Sequence, residues 1–300
     1  MKRCLVVTNT HSGHWKEAYR EGIGRALAGY DLSFVDIDAP VPSLEAWDAL
    51  AVAGGDGTLH NFLNRVKGAA IPLYYFPTGT LNEKARIGDD RPLVGRINDD
   101  YFVYVVAAGS FTPIGYTAST KDKRRYKVWA YLMQSIKEYR VHRIPASVTV
   151  DGTQYVGTYT LIMVLRSPRC FLFRFNKMYS SERRTVHLLL IPAPERDDFW
   201  GRLSIFAPLF RAFFVGFRHE KEGKHLVFRE GETAVLRLPT GTVCNVDGER
   251  RDLMGTYRFS ATAPQPEVTV CRLPKERAVR HAVKSPEAKA PHRTVTLPRE

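Results

Sequence analysis

The sequence has few cysteines and no long uninterrupted apolar run. Its 4 cysteines among 300 residues are scattered, with no two at the spacing of a zinc-binding pair. We therefore expect no zinc site and a reducing, cytoplasmic location. The longest strongly apolar segment, 203–217, is interrupted by Pro208 and Arg211, and it is shorter than the ~18 residues that a membrane-spanning helix needs. The short apolar run after Met1-Lys2-Arg3 is also too short for a secretory signal. A soluble protein is predicted.

Acidic residues are scarce relative to basic ones. The chain has 31 Asp and Glu against 44 Lys and Arg, a formal charge of +13, and residues 1–274 still carry +9 without the basic tail. This excess predicts an acidic partner. No helix-turn-helix, zinc-finger or aromatic-basic RNA-binding signature is present, so we expect no nucleic acid. Each basic residue near an anionic leaflet contributes about 1 kcal/mol, which favours peripheral association with a membrane. For any single basic cluster, a solvated surface is the alternative.

The pattern of apolar runs changes along the chain. Up to about residue 110, strand-like runs alternate with helical patterns, with 102–107 as a late strand, which predicts an α/β unit with a parallel sheet. A helix is predicted at 121–140. The alternating runs that follow, including 268–273, predict mostly antiparallel β structure. We therefore predict an α/β nucleotide-binding domain at 1–115, a β domain at 116–274 and a basic tail at 275–300.

A glycine loop is the most informative local feature. The segment Gly54-Gly55-Asp56-Gly57-Thr58 follows the apolar run 49–53 and precedes the helical pattern 59–64. A strand that ends in glycines and becomes a helix directs free backbone N–H groups and the positive end of the helix dipole at one point, which suits a phosphate. Asp56 among the glycines favours magnesium–nucleotide chemistry. The alternative is an ordinary Asp-Gly turn.

Two further loops repeat this layout. The strand-like run 4–8 is followed by 9–13 and a helical stretch at 15–27, and the run 71–76 is followed by 77–86. Ligands of open parallel sheets bind at the carboxyl ends of the strands, so the three loops are expected to converge on one crevice.

With these motifs the chain resembles the diacylglycerol kinase catalytic-domain family, which also includes sphingosine and ceramide kinases and bacterial soluble lipid kinases. The resemblance rests on Gly54–Thr58, on Gly79–Asn82 continuing to Ala85-Arg86, and on Val246–Glu249. Segments 107–112 and 126–139 extend it over most of residues 1–274. It implies an NAD-kinase/diacylglycerol-kinase-like α/β domain, a β-sandwich second domain, and an active site in the cleft between them.

The sequence departs mildly from the family pattern. Thr10-His11 stands where the family usually has Pro and a variable residue, and Glu83 stands where it favours Asp. Thr117 lies near a position where some bacterial members carry Asp, which puts their second-domain charge network in doubt.

The downstream motif supplies the predicted catalytic acids. Asp247-Gly248 alone fits a plain hairpin turn, as does Asp151-Gly152. Glu249 and the family motif distinguish the Asp247-Gly248 turn from the Asp151-Gly152 turn. A lipid hydroxyl is a poor nucleophile, and a nearby carboxylate can accept its proton as it attacks the γ-phosphoryl group. We predict Asp247 as this base and Glu249 beside the nucleotide or metal, with Asp56 as the rival in either role.

The resemblance implies an ATP-dependent, Mg²⁺-requiring kinase acting on diacylglycerol or a similar lipid, with Asp56 as metal ligand. The residues predicted to contact the nucleotide are Asn9, Thr10, His11, Ser12, Gly13, Gly54, Gly55, Asp56, Gly57, Thr58, Gly79, Thr80 and Asn82. Alternatives are another acceptor (sphingoid base, ceramide, phosphatidylglycerol or NAD) and a non-catalytic nucleotide-binding module that docks on membranes. A homodimer is left open.

An aromatic stripe recurs at three- and four-residue spacing between residues 199 and 217. Such a stripe on a helix favours a core position, with an acyl-chain groove as the alternative. Its members are Phe199, Leu203, Phe206, Phe210, Phe213, Phe214 and Phe217. The isolated histidines His11, His14 and His60 are predicted to lie in loops or on helix surfaces, with His11 near phosphate.

Overall fold

Two β-sheets organise the chain in the computed structural model, which describes residues 1–10, 16–79, 82–109, 141–170, 173–196 and 199–273. The first sheet has five parallel strands in the order β15-β4-β3-β1-β2. Their bounds are β1 Lys2–Thr8, β2 Tyr30–Asp36, β3 Ala49–Gly54, β4 Leu73–Pro77 and β15 Val268–Val270. The predicted α/β unit with a parallel sheet is confirmed.

Helices pack on this sheet because its central strands are apolar on both faces. Every residue of β3 is buried, as expected for a parallel strand covered on two sides. Helix α1 spans Ala18–Ala26 and α2 spans Asp56–Arg65, with 3₁₀ turns at Leu44–Ala46 and Ala85–Ile87. Phe62 and Leu63 of α2 lie in one core cluster with the strands, and Ile23 of α1 lies in a second.

Within the described residues, the second sheet has ten strands, and its pairings are antiparallel. Strands β7 and β8 both lie between β9 and β13, at opposite ends of these two long strands. The bounds are β5 Val94–Ile97, β6 Asp100–Phe102, β7 Val105–Gly109, β8 Ile144–Val150, β9 Thr153–Leu165, β10 Val186–Pro192, β11 Lys221–Gly223, β12 Leu226–Gly231, β13 Thr233–Val246 and β14 Glu249–Thr262. The prediction of a mostly antiparallel second unit is confirmed.

Helix α3, Phe199–Phe210, continues as a π-helical turn over Arg211–Val215 and packs beside β10. The aromatic stripe is divided between its faces. Phe213 and Phe217 are buried in the main core cluster, whereas Phe206 and Phe210 are 37% and 40% exposed. The prediction of a core position therefore holds for only part of the stripe.

Two strand assignments in the sequence analysis were wrong. The run 102–107, predicted for the α/β unit, contributes to β6 and β7 of the antiparallel sheet. The run 268–273, predicted for the antiparallel unit, begins with β15, which pairs in parallel with β4. Both runs are short and apolar, and periodicity identifies a strand without identifying its partner. The domain division at residues 115 and 274 stays a prediction.

The predicted helix at 121–140 and the tail at 275–300 lie outside the described residues. Within the described part of the chain, no helix is both long enough and apolar enough to cross a membrane.

Candidate active site

Two glycine-containing loops meet at the carboxyl edge of the parallel sheet. Gly54 O accepts the backbone N–H groups of Thr78 at 3.0 Å and Gly79 at 3.2 Å. A Cβ on Gly79 would lie 2.4 Å from the Cα of Gly55, so the approach of the two loops requires glycine here. Gly55 has extended backbone angles and precedes the first residue of α2. The N-terminal N–H groups of this helix therefore lie at the junction of the two loops.

Asn9 joins the end of β1 to the same junction. Its backbone N–H donates to Ala53 O at 3.1 Å, and its Nδ2 donates to Thr58 Oγ1 at 3.1 Å. Thr10 turns to the neighbouring strand, where its hydroxyl donates to Asp36 Oδ2 at 2.5 Å. The remaining predicted residues of these loops, His11, Ser12, Gly13 and Thr80, lie outside the described residues, as does His14.

Asn82 closes the second loop. Its side-chain Nδ2 donates to Pro77 O at 3.1 Å and to Gly79 O at 2.7 Å. Its backbone is left-handed, with a φ of 45°, a conformation that asparagine tolerates better than most residues. The asparagine of this motif thus holds the loop in shape.

Asp56 points away from solvent into the loop that follows Asn82. Its carboxylate accepts the backbone N–H groups of Glu83 at 2.5 Å and Lys84 at 3.2 Å, and Tyr75 Oη lies 3.4 Å from it. Burial raises the pKa of Asp56 to about 7, against the two backbone hydrogen bonds, and the charges of Asp247 and Glu83 raise it further. Asp56 therefore positions this loop, and it lies close to two other carboxylates, those of Asp247 and Glu83.

Asp247 is buried in the turn between β13 and β14 and has a φ of 53°. Its Oδ1 accepts the N–H groups of Tyr104 at 2.8 Å and Val105 at 3.0 Å, and its Oδ2 accepts that of Val103. His60 Nδ1 lies 2.9 Å from Oδ2. Both oxygens of the predicted base therefore face protein donors, and the side chain is closed off from solvent.

His60 is fully buried, so its assignment to a loop or helix surface was wrong. Arg251 Nη2 lies 3.0 Å from His60 Nε2, and a guanidinium can only donate, so Nε2 accepts and the ring proton sits on Nδ1, facing Asp247. The sequence held one signal for this role. Asp56 and His60 are four residues apart on α2 and share a face of the helix.

The Asp247 turn covers the glycine loop and brings Glu249 to it. A Cβ on Gly57 would lie 3.6 Å from Asp247 O and 4.0 Å from Glu249 Oε1. Glu249 is partly exposed, unlike Asp247. Residues from positions 9, 54–58, 79, 82 and 247–249 thus come together, as the convergence of the loops predicts.

Sequence reasoning missed a buried cation behind the acids. Lys84 is fully buried, and its Nζ donates to Leu93 O. Burial lowers the pKa of Lys84 to about 7, and the charge of Arg166 lowers it further, while nearby acids oppose the shift. A lysine next to a glycine-rich motif is usually exposed, so composition gave no signal for this position.

The described residues contain no group of three or more His, Cys, Asp or Glu side chains able to hold a metal ion. Magnesium usually takes only one or two protein carboxylates and completes its shell with phosphate oxygens and water. Asp56 is the carboxylate of the glycine loop, and although burial is the main cause of its raised pKa, the charges of Asp247 and Glu83 add to it, and a cation would offset these charges.

Comparison with known proteins agrees with this arrangement. Residues 3–89 match the family model described as diacylglycerol kinase catalytic domain. The diacylglycerol kinases of Staphylococcus aureus strains bovine RF122 / ET3-1 and JH9 are each 25% identical over 288 residues, covering 83% of this chain and 86% of theirs.

Solved structures show the same fold. One from Bacillus anthracis str. Sterne superposes with a TM-score of 0.63 at 15% identity, covering 87% of this chain and 94% of its own. A diacylglycerol kinase structure from the same organism gives 0.54 at 14% identity, covering 86% and 93%. Together with the matching family model and the curated relatives, the motifs at 54–58, 79–82 and 246–249 show that this chain is a phosphotransferase similar to the diacylglycerol kinase catalytic-domain family.

Proposed function

We propose that this protein is an ATP-dependent, Mg²⁺-requiring lipid kinase that transfers the γ-phosphoryl group of ATP to the hydroxyl of diacylglycerol or a similar lipid, giving a phosphatidate-like product. The observation that carries the proposal is the meeting of the glycine loop, Gly79 with Asn82, and the Asp247 turn at one edge of the parallel sheet. An anion site beside a cluster of carboxylates has the two parts that phosphoryl transfer requires.

The glycine loop and the start of α2 hold the phosphates in this proposal. Backbone N–H groups at a helix N-terminus attract anions, and Gly55 and Gly79 allow the two loops to meet at this point. Asn9 fixes the Thr58 side chain on the same loop. Mg²⁺, bound by Asp56 and phosphate oxygens, would neutralise charge on the transferring group.

The geometry favours Glu249 over Asp247 as proton acceptor. Asp247 is surrounded by three backbone N–H groups and His60, so its oxygens have little room for a substrate hydroxyl. Glu249 is partly exposed and its Oε1 lies beside Gly57. We therefore assign Asp247 to positioning the turn and Glu249 to accepting the proton. Asp56 positions the loop at 82–84 through two backbone N–H groups, and in this proposal the remaining lone pairs of its oxygens bind the metal.

The test is a labelling assay with γ-labelled ATP, Mg²⁺ and mixed micelles of diacylglycerol, ceramide, sphingosine or phosphatidylglycerol, with free NAD as a separate acceptor. The proposal expects label in diacylglycerol, lost in Glu249→Gln while ATP binding persists. Label in another acceptor would retain the kinase chemistry and replace the substrate. ATP binding without any labelled product would contradict the kinase and support a non-catalytic module.

A further inference from the structure

The outer face of α3 is apolar where a surface helix is usually polar. Trp200 is 69% exposed, Phe206 37%, Phe210 40% and Val215 45%. The rings of Phe206 and Phe210 stack with centroids 6.1 Å apart, and Phe210 stacks on Phe214 at 5.0 Å. Adjacent exposed aromatic rings of this kind mark an interaction surface rather than scattered surface residues.

The inner face of this helix connects the surface to the active-site core. Ile205, Leu209 and Phe213 are buried in the same hydrophobic cluster as Tyr75 and Tyr104. Tyr75 contacts Asp56, and the backbone N–H of Tyr104 donates to Asp247. The exposed rings therefore lie on an element that packs into the core behind the site.

Basic side chains border the apolar face. The segment 173–177 runs beside the end of the helix, since Phe173 packs edge-on against Phe214 with centroids 5.3 Å apart and Lys177 Nζ donates to Val215 O at 2.7 Å. This segment places Arg174 and Lys177, both exposed, at the border. The exposed Arg211 begins the π-helical turn and donates to Gly216 O, and the exposed Arg218 lies just after the turn. We call these four basic residues the collar.

We propose that the outer face of α3 and of the π-helical turn after it, with Trp200, Phe206, Phe210 and Val215, inserts into the headgroup region of an anionic bilayer while the collar binds the lipid headgroups. Aromatic residues prefer the membrane interface, and an apolar face flanked by Arg and Lys is the pattern of a surface-bound helix. The collar and the +13 charge of the whole chain supply the complementarity to an acidic surface.

This inference goes beyond phosphoryl transfer, because vesicle binding requires no turnover. A protein partner is the competing occupant of an apolar face. The basic collar favours the bilayer, since each Lys or Arg near an anionic leaflet adds about 1 kcal/mol to binding.

The experiment measures co-sedimentation with phosphatidylcholine vesicles, with and without phosphatidylserine, for wild type and for the double variant Phe206→Ser/Phe210→Ser. We expect affinity for anionic vesicles to fall by roughly tenfold per ring. Arg174→Gln/Arg218→Gln should lose about fivefold per charge on phosphatidylserine vesicles and little on neutral ones. Val156→Ser, at a residue 73% exposed on β9, and Arg25→Gln on α1 are the matched controls.

Two further readouts localise the contact. Brominated lipids should quench tryptophan fluorescence in wild type, and Trp200→Phe should remove most of that quenching. Labelling of a short-chain diacylglycerol that is monomeric in water should survive Phe206→Ser/Phe210→Ser, while labelling of vesicle-borne diacylglycerol falls. If no diacylglycerol is labelled at all, the vesicle and quenching results still decide this proposal.

Unchanged vesicle affinity in the double phenylalanine variant would overturn the proposal. So would equal losses in the Val156→Ser and Arg25→Gln controls. A wild-type dimer in solution that dissociates in Phe206→Ser/Phe210→Ser, with no vesicle binding by either protein, would assign the face to a second copy of the chain instead.

Discussion

Two hairpin turns of this protein are built from the same dipeptide and differ in their surroundings. Asp151-Gly152 connects β8 to β9, and Asp247-Gly248 connects β13 to β14. The φ angles are 42° and 88° in the first turn and 53° and 100° in the second. Two-residue hairpins need left-handed backbone at both positions, which Asp and Gly tolerate, so local sequence accounts equally for both turns.

The environment of the two carboxylates is what distinguishes the turns. Asp151 is exposed and accepts the N–H groups of Glu232 and Thr233, each at 2.9 Å. Asp247 is buried, faces His60, and lies over the glycine loop. The same turn is therefore a sheet-end connection in one place and part of a candidate active site in the other.

The largest effect on kcat is expected from a substitution of Glu249, the second residue after Asp247. Glu249→Gln should lower kcat by about 10²–10⁴-fold, because the variant lacks a proton acceptor. Thr153, which occupies the equivalent place after Asp151, should tolerate Thr153→Ala with kcat unchanged. Steady-state kinetics on the labelled lipid, with thermal melts of both variants, provides the measurement. A similar kcat for Glu249→Gln and wild type would remove Glu249 from the chemistry.

The two turn aspartates should differ in how much they contribute to the free energy of unfolding. Asp247→Ala should reduce the free energy of unfolding by about 3–5 kcal/mol, because buried N–H groups and His60 lose their acceptor. Asp151→Ala, at an exposed site, should cost about 1 kcal/mol. Urea denaturation compares them, and Asp247→Asn, which keeps one acceptor oxygen, should lie between. Equal losses of unfolding free energy at the two sites would mean that the burial of Asp247 does not increase its contribution to stability.

Low pH should destabilise the protein through His187, which lies in the antiparallel sheet near the Asp151 turn. His187 of β10 is buried and pairs in register with Glu230, close to the residues that Asp151 binds. Burial lowers the pKa of His187 to about 4. The unfolded chain takes up this proton near pH 6.5 and the folded one does not, so stability is complete above that pH and falls by up to about 3 kcal/mol towards pH 4. Unfolding at several pH values should show a smaller slope in His187→Gln, and an identical slope would contradict the assignment.

The turn glycines should give the smallest and most similar effects. Gly152→Ala and Gly248→Ala each place a side chain at positive φ, which costs about 1–2 kcal/mol. We expect matched losses in melting experiments, together with a reduced kcat in Gly248→Ala alone, since only that turn carries Glu249 to the glycine loop. A reduced kcat in Gly152→Ala as well would point to a general loss of fold.

Much of the first sheet and its loops could be predicted from local sequence. The strands before Asn9 and Gly54, and the strand before Gly79, are apolar runs that end in loop residues, and such runs specify a strand wherever it pairs. The partner of a short run is not a local property. The runs at 102–107 and 268–273 were therefore recognised as strands and assigned to the wrong sheets.

The chemistry of the candidate site was less accessible to sequence reasoning. Asp56 was found from its place in the glycine loop, and Asp247 and Glu249 were found because their motif resembles that of the diacylglycerol kinase catalytic-domain family. That Asp247 faces backbone N–H groups and that His60 is buried against it depend on contacts between segments far apart in the chain. Local patterns carry no information on which side chain will be covered by a distant strand.

The placement of β15 has a consequence for how the protein is made. The strand lies at the edge of the parallel sheet beside β4, although about 190 residues separate the two in the sequence. While the ribosome is still adding the antiparallel strands, β4 has no neighbour on that side, and its N–H and C=O groups form an open edge on which other nascent chains can pair. The first unit to emerge is thus among the last to be completed, and the interval before Val268–Val270 docks is when this protein is most exposed to aggregation.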